Sequence, residues 1–271
     1  MPELPEVETT CRGIAPYITG QTIHKITIRN GQLRWPVPDK LDDILHGHTV
    51  VTVSRRGKYI LPVFGHGTLI MHLGMSGSLR IVMQDTMPEK HDHVDIEFEN
   101  GTILRFRDPR RFGCILWTTD APDQHKLLAT LGPEPLLKTF NGKYLFEKSR
   151  GRVQAVKTFI MDSHIVVGVG NIYANEALFL SGIRPATPAG KISGPRYKKL
   201  AMYIKKTLKM AIKQGGTTLR DFAGGDGKPG YFQQSLNVYG RSGQPCRKCK
   251  RPIRHQVIGQ RATYYCGHCQ R

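Results

Sequence analysis

HVDIEFENGTILRF, residues 93–106, alternates apolar and polar side chains on both sides of Asn100-Gly101. Alternation of period two places Val94, Ile96 and Phe98 on one face of a strand and Asp95 and Glu97 on the other. Asn-Gly between two such runs is a strong hairpin signal, because both residues tolerate the positive φ that tight turns need. The stretch predicts two antiparallel strands with one buried face, and it sets the character of the whole N-terminal half.

The same signature recurs upstream. TIHKITI (22–28), TVVTVSRRGKYILPVF (49–64) and TLIMHLGMSGSLRIV (68–82) are rich in Ile, Val and Thr with period-two spacing. These runs predict a β-sandwich or barrel-like domain. One helix leads it. Val7, Cys11, Ile14 and Ile18 share a side, Pro5 suits a first helical turn, and Pro16 predicts an end near Ala15. The double-proline stretch LGPEPL (131–136) marks a boundary. Beyond it NIYANEALFLSGI (171–183) and YKKLAMYIKKTLKMAIKQGG (197–216) read as amphipathic helices stopping at glycine. In the second of these the apolar residues are Leu200, Met202, Tyr203, Ile204, Leu208 and Ile212. The expected fold class is α+β: a β-sandwich behind one helix over 1–135, a helical domain over 136–235, and a small unit over 236–271.

Charge separates the halves. Residues 1–137 carry 15 Lys+Arg against 16 Asp+Glu, a balance of −1, whereas residues 138–271 carry 25 against 5, a balance of +20. A solubility surplus would not be confined to one half. The asymmetry points to a polyanion, either nucleic acid or an anionic membrane, with nucleic acid favoured. No apolar run is long enough to span a bilayer, and the acidic, polar start is unlike a secretory leader, so a cytoplasmic location is expected.

Four of the six cysteines form Cys246-x2-Cys249-x16-Cys266-x2-Cys269. Two Cys-x2-Cys knuckles at this separation match a four-thiolate zinc site. With all four positions filled by protein, such a zinc is structural, and it supplies folding energy that some thirty residues cannot gain from burial. Two disulfides are the alternative, disfavoured in a reducing compartment. Between the knuckles, RPIRHQVIGQRATYYC reads as a hairpin turning near Gly259-Gln260 and presenting Arg261. VGVGN (167–171) lacks the G-x-G-x-x-G spacing of a dinucleotide site, and fits a glycine turn whose backbone N–H groups approach phosphate.

The chain opens MPELPE. Methionine is commonly trimmed before a small residue, which would leave Pro2 with a free secondary amine. That amine is either a loose end or a reagent.

PELPE, RRGKY, HLGMSG, DPRRFG, VGVGNIYANEALF, GGTTL, DGKPGYF and the four-cysteine finger occur in this order. Together they resemble the bacterial formamidopyrimidine-DNA glycosylases over essentially the whole chain. The related endonuclease VIII group typically begins PEGPE, so Leu4 favours the purine-directed branch. The resemblance implies a base-excision repair glycosylase and abasic-site lyase with a helix–two-turn–helix domain and one structural Zn2+. It implies double-stranded DNA containing oxidised purines or abasic sites as partner. It also implies a bacterial, nucleoid-associated location; nothing in the sequence demands an oligomer or a membrane, so a monomer with no membrane partner is expected.

By the same resemblance Pro2 is the nucleophile, Glu3 the acid–base residue, Lys58 a lysine assisting base release, and Arg261 a phosphate clamp implicated in the final elimination. Taken alone, Glu3 and Glu6 fit a helix N-terminus equally well, and Lys58 fits a solvated strand face shared with Thr52, Ser54 and Arg56. Met75, Arg110 and Phe112 match the residues that fill the void left by an everted nucleotide, and His91, Lys157 and Asn171 match phosphate contacts. Glu6, Thr217, Thr218 and Tyr231 are candidate lesion-pocket residues, the last three in or beside the glycine-rich stretch AGGDGKPGYF (223–232), a candidate capping loop. The stretch KSRGR (148–152) departs from the lysine cluster often found there, with Gly151 in place of a lysine. Two other readings stand beside this one: an endonuclease VIII-like enzyme preferring oxidised pyrimidines, and a non-catalytic DNA-binding zinc-finger protein.

Overall fold

The hairpin of residues 93–106 is the centre of one of the two four-stranded sheets. In the computed structural model, which describes residues 2–216 and 236–271, the chain divides into two units. Unit 1 comprises residues 2–130 with 214–216, and unit 2 comprises 131–213 with 236–271.

Unit 1 begins with α1 (Leu4–Ile18) and β1 (Ile23–Ile28), followed by a short α2 (Leu41–Leu45). Seven strands follow: β2 (Thr52–Arg56), β3 (Tyr59–Phe64), β4 (Gly67–His72), β5 (Ser78–Met83), β6 (Asp92–Phe98), β7 (Thr102–Arg107) and β8 (Cys114–Thr118). They make two four-stranded sheets, β1-β6-β7-β5 and β2-β3-β4-β8, antiparallel throughout. Val94 pairs with Phe106 and Ile96 with Leu104, and all four enter one core. Ile60, Phe64, Leu69, Met71 and Ile115 of the second sheet enter the same core, as do Val7, Cys11, Ile14 and Ile18 of α1. A β-sandwich closed by a leading helix is thus the architecture.

Three local readings differ. The β6–β7 connection is a three-residue turn, with Gly101 at φ +77° and its N–H on the Phe98 carbonyl. Helix α1 runs on to Ile18, past Pro16. Pro16 lies in the last turn, where its missing N–H costs one bond, and the Thr19 N–H still caps the Ala15 carbonyl at 3.0 Å. Lastly, the outer face of β6–β7 is not solvated. Asp95 and Arg105 are cross-strand partners, bound through both carboxylate oxygens at 2.9 and 2.8 Å, with Arg29 adding a third contact at 2.6 Å. Burial raises the Asp95 carboxyl, but the two guanidinium groups outweigh it and hold it below its usual range.

Unit 2 contains α3 (Gly142–Ser149), α4 (Val156–Met161), α5 (Asn171–Ser181), α6 (Gly194–Lys213), and the hairpin β9 (Arg254–Ile258) and β10 (Arg261–Tyr265). Helix α5 stops where Gly182 adopts φ +72°, with its N–H turned back to the helix carbonyls. In α6 the buried stripe is Tyr197, Leu200, Ala201, Ile204, Thr207, Leu208 and Ala211. Met202, counted with the apolar residues from sequence, lies on the exposed side. The finger packs on α5: Phe179, Val238, Cys246, Ile253 and Cys266 form one buried cluster.

Candidate reactive terminus and nucleic-acid interface

Pro2 and Glu3 are buried at the head of α1. Glu3 is the N-cap, and its own N–H donates to Glu6 Oε2 at 2.9 Å, closing a reciprocal capping box. Glu6 therefore has a structural task, and it also faces residue 216: a Cβ added to Gly216 would lie 3.0 Å from Glu6 Oε1. One turn on, Glu8 binds Arg55 Nε at 2.8 Å, and Arg55 also donates to the Gly57 carbonyl at 2.7 Å. Arg55 thereby ties α1 to the β2–β3 turn. Burial raises the Glu8 carboxyl, but Arg55 and Arg12 hold it below its ordinary value.

That turn carries Lys58. Arg56 pairs with Tyr59, so Gly57 and Lys58 form a two-residue loop, with Gly57 at φ +59°. Lys58 is thus at a hairpin tip and not on the strand face that periodicity implied. Its positive charge acts on His72, whose imidazole is lowered to about 4, first by burial and then by Lys58 and Arg34. The neutral ring accepts the Gly74 N–H at Nδ1, 2.9 Å away. His72 consequently stands between the Lys58 turn and the turn bearing Met75.

Met75 is half-buried on the turn after β4, while Arg110 and Phe112 are exposed on the β7–β8 turn. The Arg110 guanidinium lies 4.8 Å from the centre of the Phe112 ring. The two turns touch through backbone. A Cβ on Gly74 would fall 2.5 Å from both the Gly113 nitrogen and the Phe112 carbonyl carbon. His91 lies just before β6, half-buried.

In unit 2, Ile258 pairs with Arg261 across Gly259 and Gln260, both at positive φ (+55° and +59°). This is the two-residue turn that matches strand twist, and it leaves Arg261 exposed at the start of β10. Lys157 and Asn171 converge behind it. Lys157 Nζ donates to the Ala262 carbonyl at 2.9 Å and to Thr263 Oγ1 at 2.7 Å, and Asn171 Nδ2 donates to the same carbonyl at 3.0 Å. Lys157 is only 1% exposed, so its ammonium fixes the residue next to Arg261.

Sequence reasoning passed over two further residues of α5. Asn175 Oδ1 accepts the Tyr264 N–H at 2.7 Å. Glu176, 1% exposed, accepts from the N–H groups of Asn237, Val238 and Tyr239 and from the Asn237 amide, at 2.8–3.0 Å. The absence of apolar character at 175 and 176 inside an otherwise apolar helix was the available signal.

Cys246, Cys249, Cys266 and Cys269 place their Sγ atoms within 4.8 Å of one another, with Cys249–Cys266 at 3.4 Å and Cys246–Cys269 at 4.0 Å. Zinc with bonds of about 2.3 Å in a tetrahedron needs sulfurs about 3.8 Å apart, so the thiols fit the ion. Burial, and then the Cys249, Cys266 and Cys246 thiols, push Cys269 up to about 12. A divalent cation lets such a crowd of thiols ionise. The four cysteines hold one structural zinc. Thr217, Thr218, Tyr231 and the stretch 223–232 lie outside the described residues. No helix among the described residues is long and apolar enough to cross a membrane.

Three family profiles match successive parts of the chain. They are the formamidopyrimidine-DNA glycosylase N-terminal domain over residues 1–115, the formamidopyrimidine-DNA glycosylase H2TH domain over 131–223, and the zinc finger found in FPG and IleRS over 243–271. A formamidopyrimidine-DNA glycosylase of Methylococcus capsulatus is 60% identical over 271 residues, covering 100% of both chains. A mutant Lactococcus lactis FPG complexed with Fapy-dG-containing DNA superposes with a TM-score of 0.92 at 33% identity, covering 100% of both chains. A second L. lactis Fpg complex, with DNA containing an abasic site, gives 0.91 at 33% identity, with 99% of each chain covered.

Proposed function

The chain belongs to the formamidopyrimidine-DNA glycosylase family, and from that membership we propose that it excises oxidised purines from duplex DNA and then cleaves the abasic strand. The observation that carries this reading is the placement of Pro2 and Glu3, buried together at the capped head of α1.

A free α-amine titrates near 7.7–8.0, about two and a half units below lysine. A share of Pro2 nitrogen is therefore neutral at cellular pH. Its lone pair attacks the anomeric carbon while the bond to the damaged base breaks and the base departs. Glu3 takes the nitrogen's proton and returns one to the ring oxygen as the sugar opens. The resulting iminium is already positive, because a secondary amine has no second proton to lose. It withdraws electrons and acidifies the adjacent C2′ proton. Loss of that proton expels the 3′ phosphate by β-elimination, and δ-elimination then expels the 5′ phosphate. Lys58 assists base release and the proton transfers from its turn. Arg261 holds a phosphate from its exposed position, with Asn171 beside it. Lys157 serves this arrangement by holding the Ala262 carbonyl.

Met75, Arg110 and Phe112 fill the gap left by the everted nucleotide, whose unstacking costs a few kcal/mol. His91 adds a phosphate contact. Glu6 supports the terminus, while Thr217, Thr218 and Tyr231 select the lesion. The zinc holds the finger's fold and takes no part in bond making. The protein acts as a monomer in the bacterial cytoplasm at the nucleoid, within domains 1–135, 136–235 and 236–271. Excision assays on duplexes carrying 8-oxoguanine, a formamidopyrimidine or an oxidised pyrimidine test the reading. Faster release of the two purine lesions is expected, and a preference for the pyrimidine would overturn it.

A further inference from the structure

The two turns that carry Met75 and the Arg110–Phe112 pair are joined by one buried side chain. Asp108 is 0% exposed and sits at the end of β7. Its Oδ1 accepts the Ser76 hydroxyl at 3.0 Å and the Arg110 N–H at 3.3 Å, and its Oδ2 accepts the Gly113 N–H at 2.8 Å. Ser76 follows Met75 directly. Arg110 and Gly113 bracket the exposed tip of the other turn. The backbone of Asp108 extends the junction: its N–H donates to the His91 carbonyl at 3.1 Å, and its carbonyl accepts from His93 Nε2 at 2.9 Å and from Arg111 N–H at 3.1 Å.

We propose that Asp108 is the positioning residue that makes these two turns act as one wedge, so that Met75, Arg110 and Phe112 enter the DNA stack together. The inference rests on the glycosylase reading above. The physical reason is strain and its support. Arg111 holds φ +55° without being glycine, and Gly74 holds φ +59° with its α-carbon against the Phe112–Gly113 peptide. Such backbone persists only where surrounding bonds over-determine it, and a wedge must keep its shape while pushing bases apart. A carboxylate accepts at every lone pair, so one side chain takes three donors from two loops. An amide at the same place turns a donor toward one of them.

The test compares two substrates. Duplex DNA with an abasic site leaves a gap and an orphaned base, whereas a single-stranded abasic oligonucleotide leaves neither. Borohydride capture of the full chain is followed on both. Asp108→Asn is expected to slow capture on the duplex about tenfold, the scale of one lost buried hydrogen bond to a charged group, and to stay within about twofold of the parent on the single strand. Ser76→Ala, which removes only the link between the turns, should likewise slow capture on the duplex and leave the single strand within about twofold of the parent. It decides the matter if Asp108→Asn does not fold. A merely structural role would lower both substrates alike. Equal losses on both substrates, or no loss on the duplex, would overturn the proposal. Failure of the unaltered protein to be captured on either substrate would instead sink the underlying lyase reading.

Discussion

At the scale of single residues the N-terminal unit is tuned by what its charges face. His72 is kept neutral by burial and by Lys58 and Arg34, its value lowered from 6.5 to about 4. Between those two values the unfolded chain takes up a proton that the folded chain refuses. Stability therefore falls as pH drops through that window. Thermal unfolding from pH 7 to pH 4.5 should show a declining midpoint, and His72→Gln, which keeps an acceptor for the Gly74 N–H, should flatten the decline. An unchanged slope in the variant would remove His72 from this role. Asp95, whose carboxyl is held low against burial by Arg105 and Arg29, acts at more acid pH. Its contribution is present above its unfolded value of 3.8 and is lost as pH falls through its lower folded one.

At the scale of elements the finger hairpin shows how local and distant chemistry combine. Its turn needs positive φ at both Gly259 and Gln260, and only one of them is glycine. A Cβ at 259 would also fall 3.0 Å from Thr158 Oγ1. Gly259→Ala should therefore destabilise the finger by about 1–2 kcal/mol, while Gln260→Gly should be neutral or mildly stabilising. The rate of zinc loss to a chelator reports both, and a reversed order would contradict the turn assignment. Other elements divide in the same way between near and far causes. The end of α5 was readable because Gly182 signals it locally, and the zinc site because ligand spacing is itself local. Lys58 read as a strand residue because alternation through 52–58 is real, yet Gly57 at φ +59° ends the strand just before it. The burial of Lys157 was not readable, since its partners Ala262 and Thr263 lie over a hundred residues away. The junction at Asp108 was likewise hidden, although DPRRFG and HLGMSG were both recognised. Nothing in either motif states that Ser76 reaches Asp108.

At the scale of the whole molecule the chemistry and the charge are divided. Residues 1–137 are near neutral, and residues 138–271 carry a balance of +20. If six phosphates are neutralised on binding, log K should fall against log salt with a slope of about −5. A slope near zero, measured by anisotropy from 50 to 300 mM salt, would deny the basic half its role. The proposed reaction stands on the nitrogen of Pro2, and it is tested most directly by reducing the protein–DNA adduct with borohydride and mapping the linked peptide by mass spectrometry. Deoxyribose is expected on the α-nitrogen of Pro2, and Pro2→Gly is expected to reduce the lyase activity greatly. Attachment to Lys58 or any other side chain would contradict the proposed reaction.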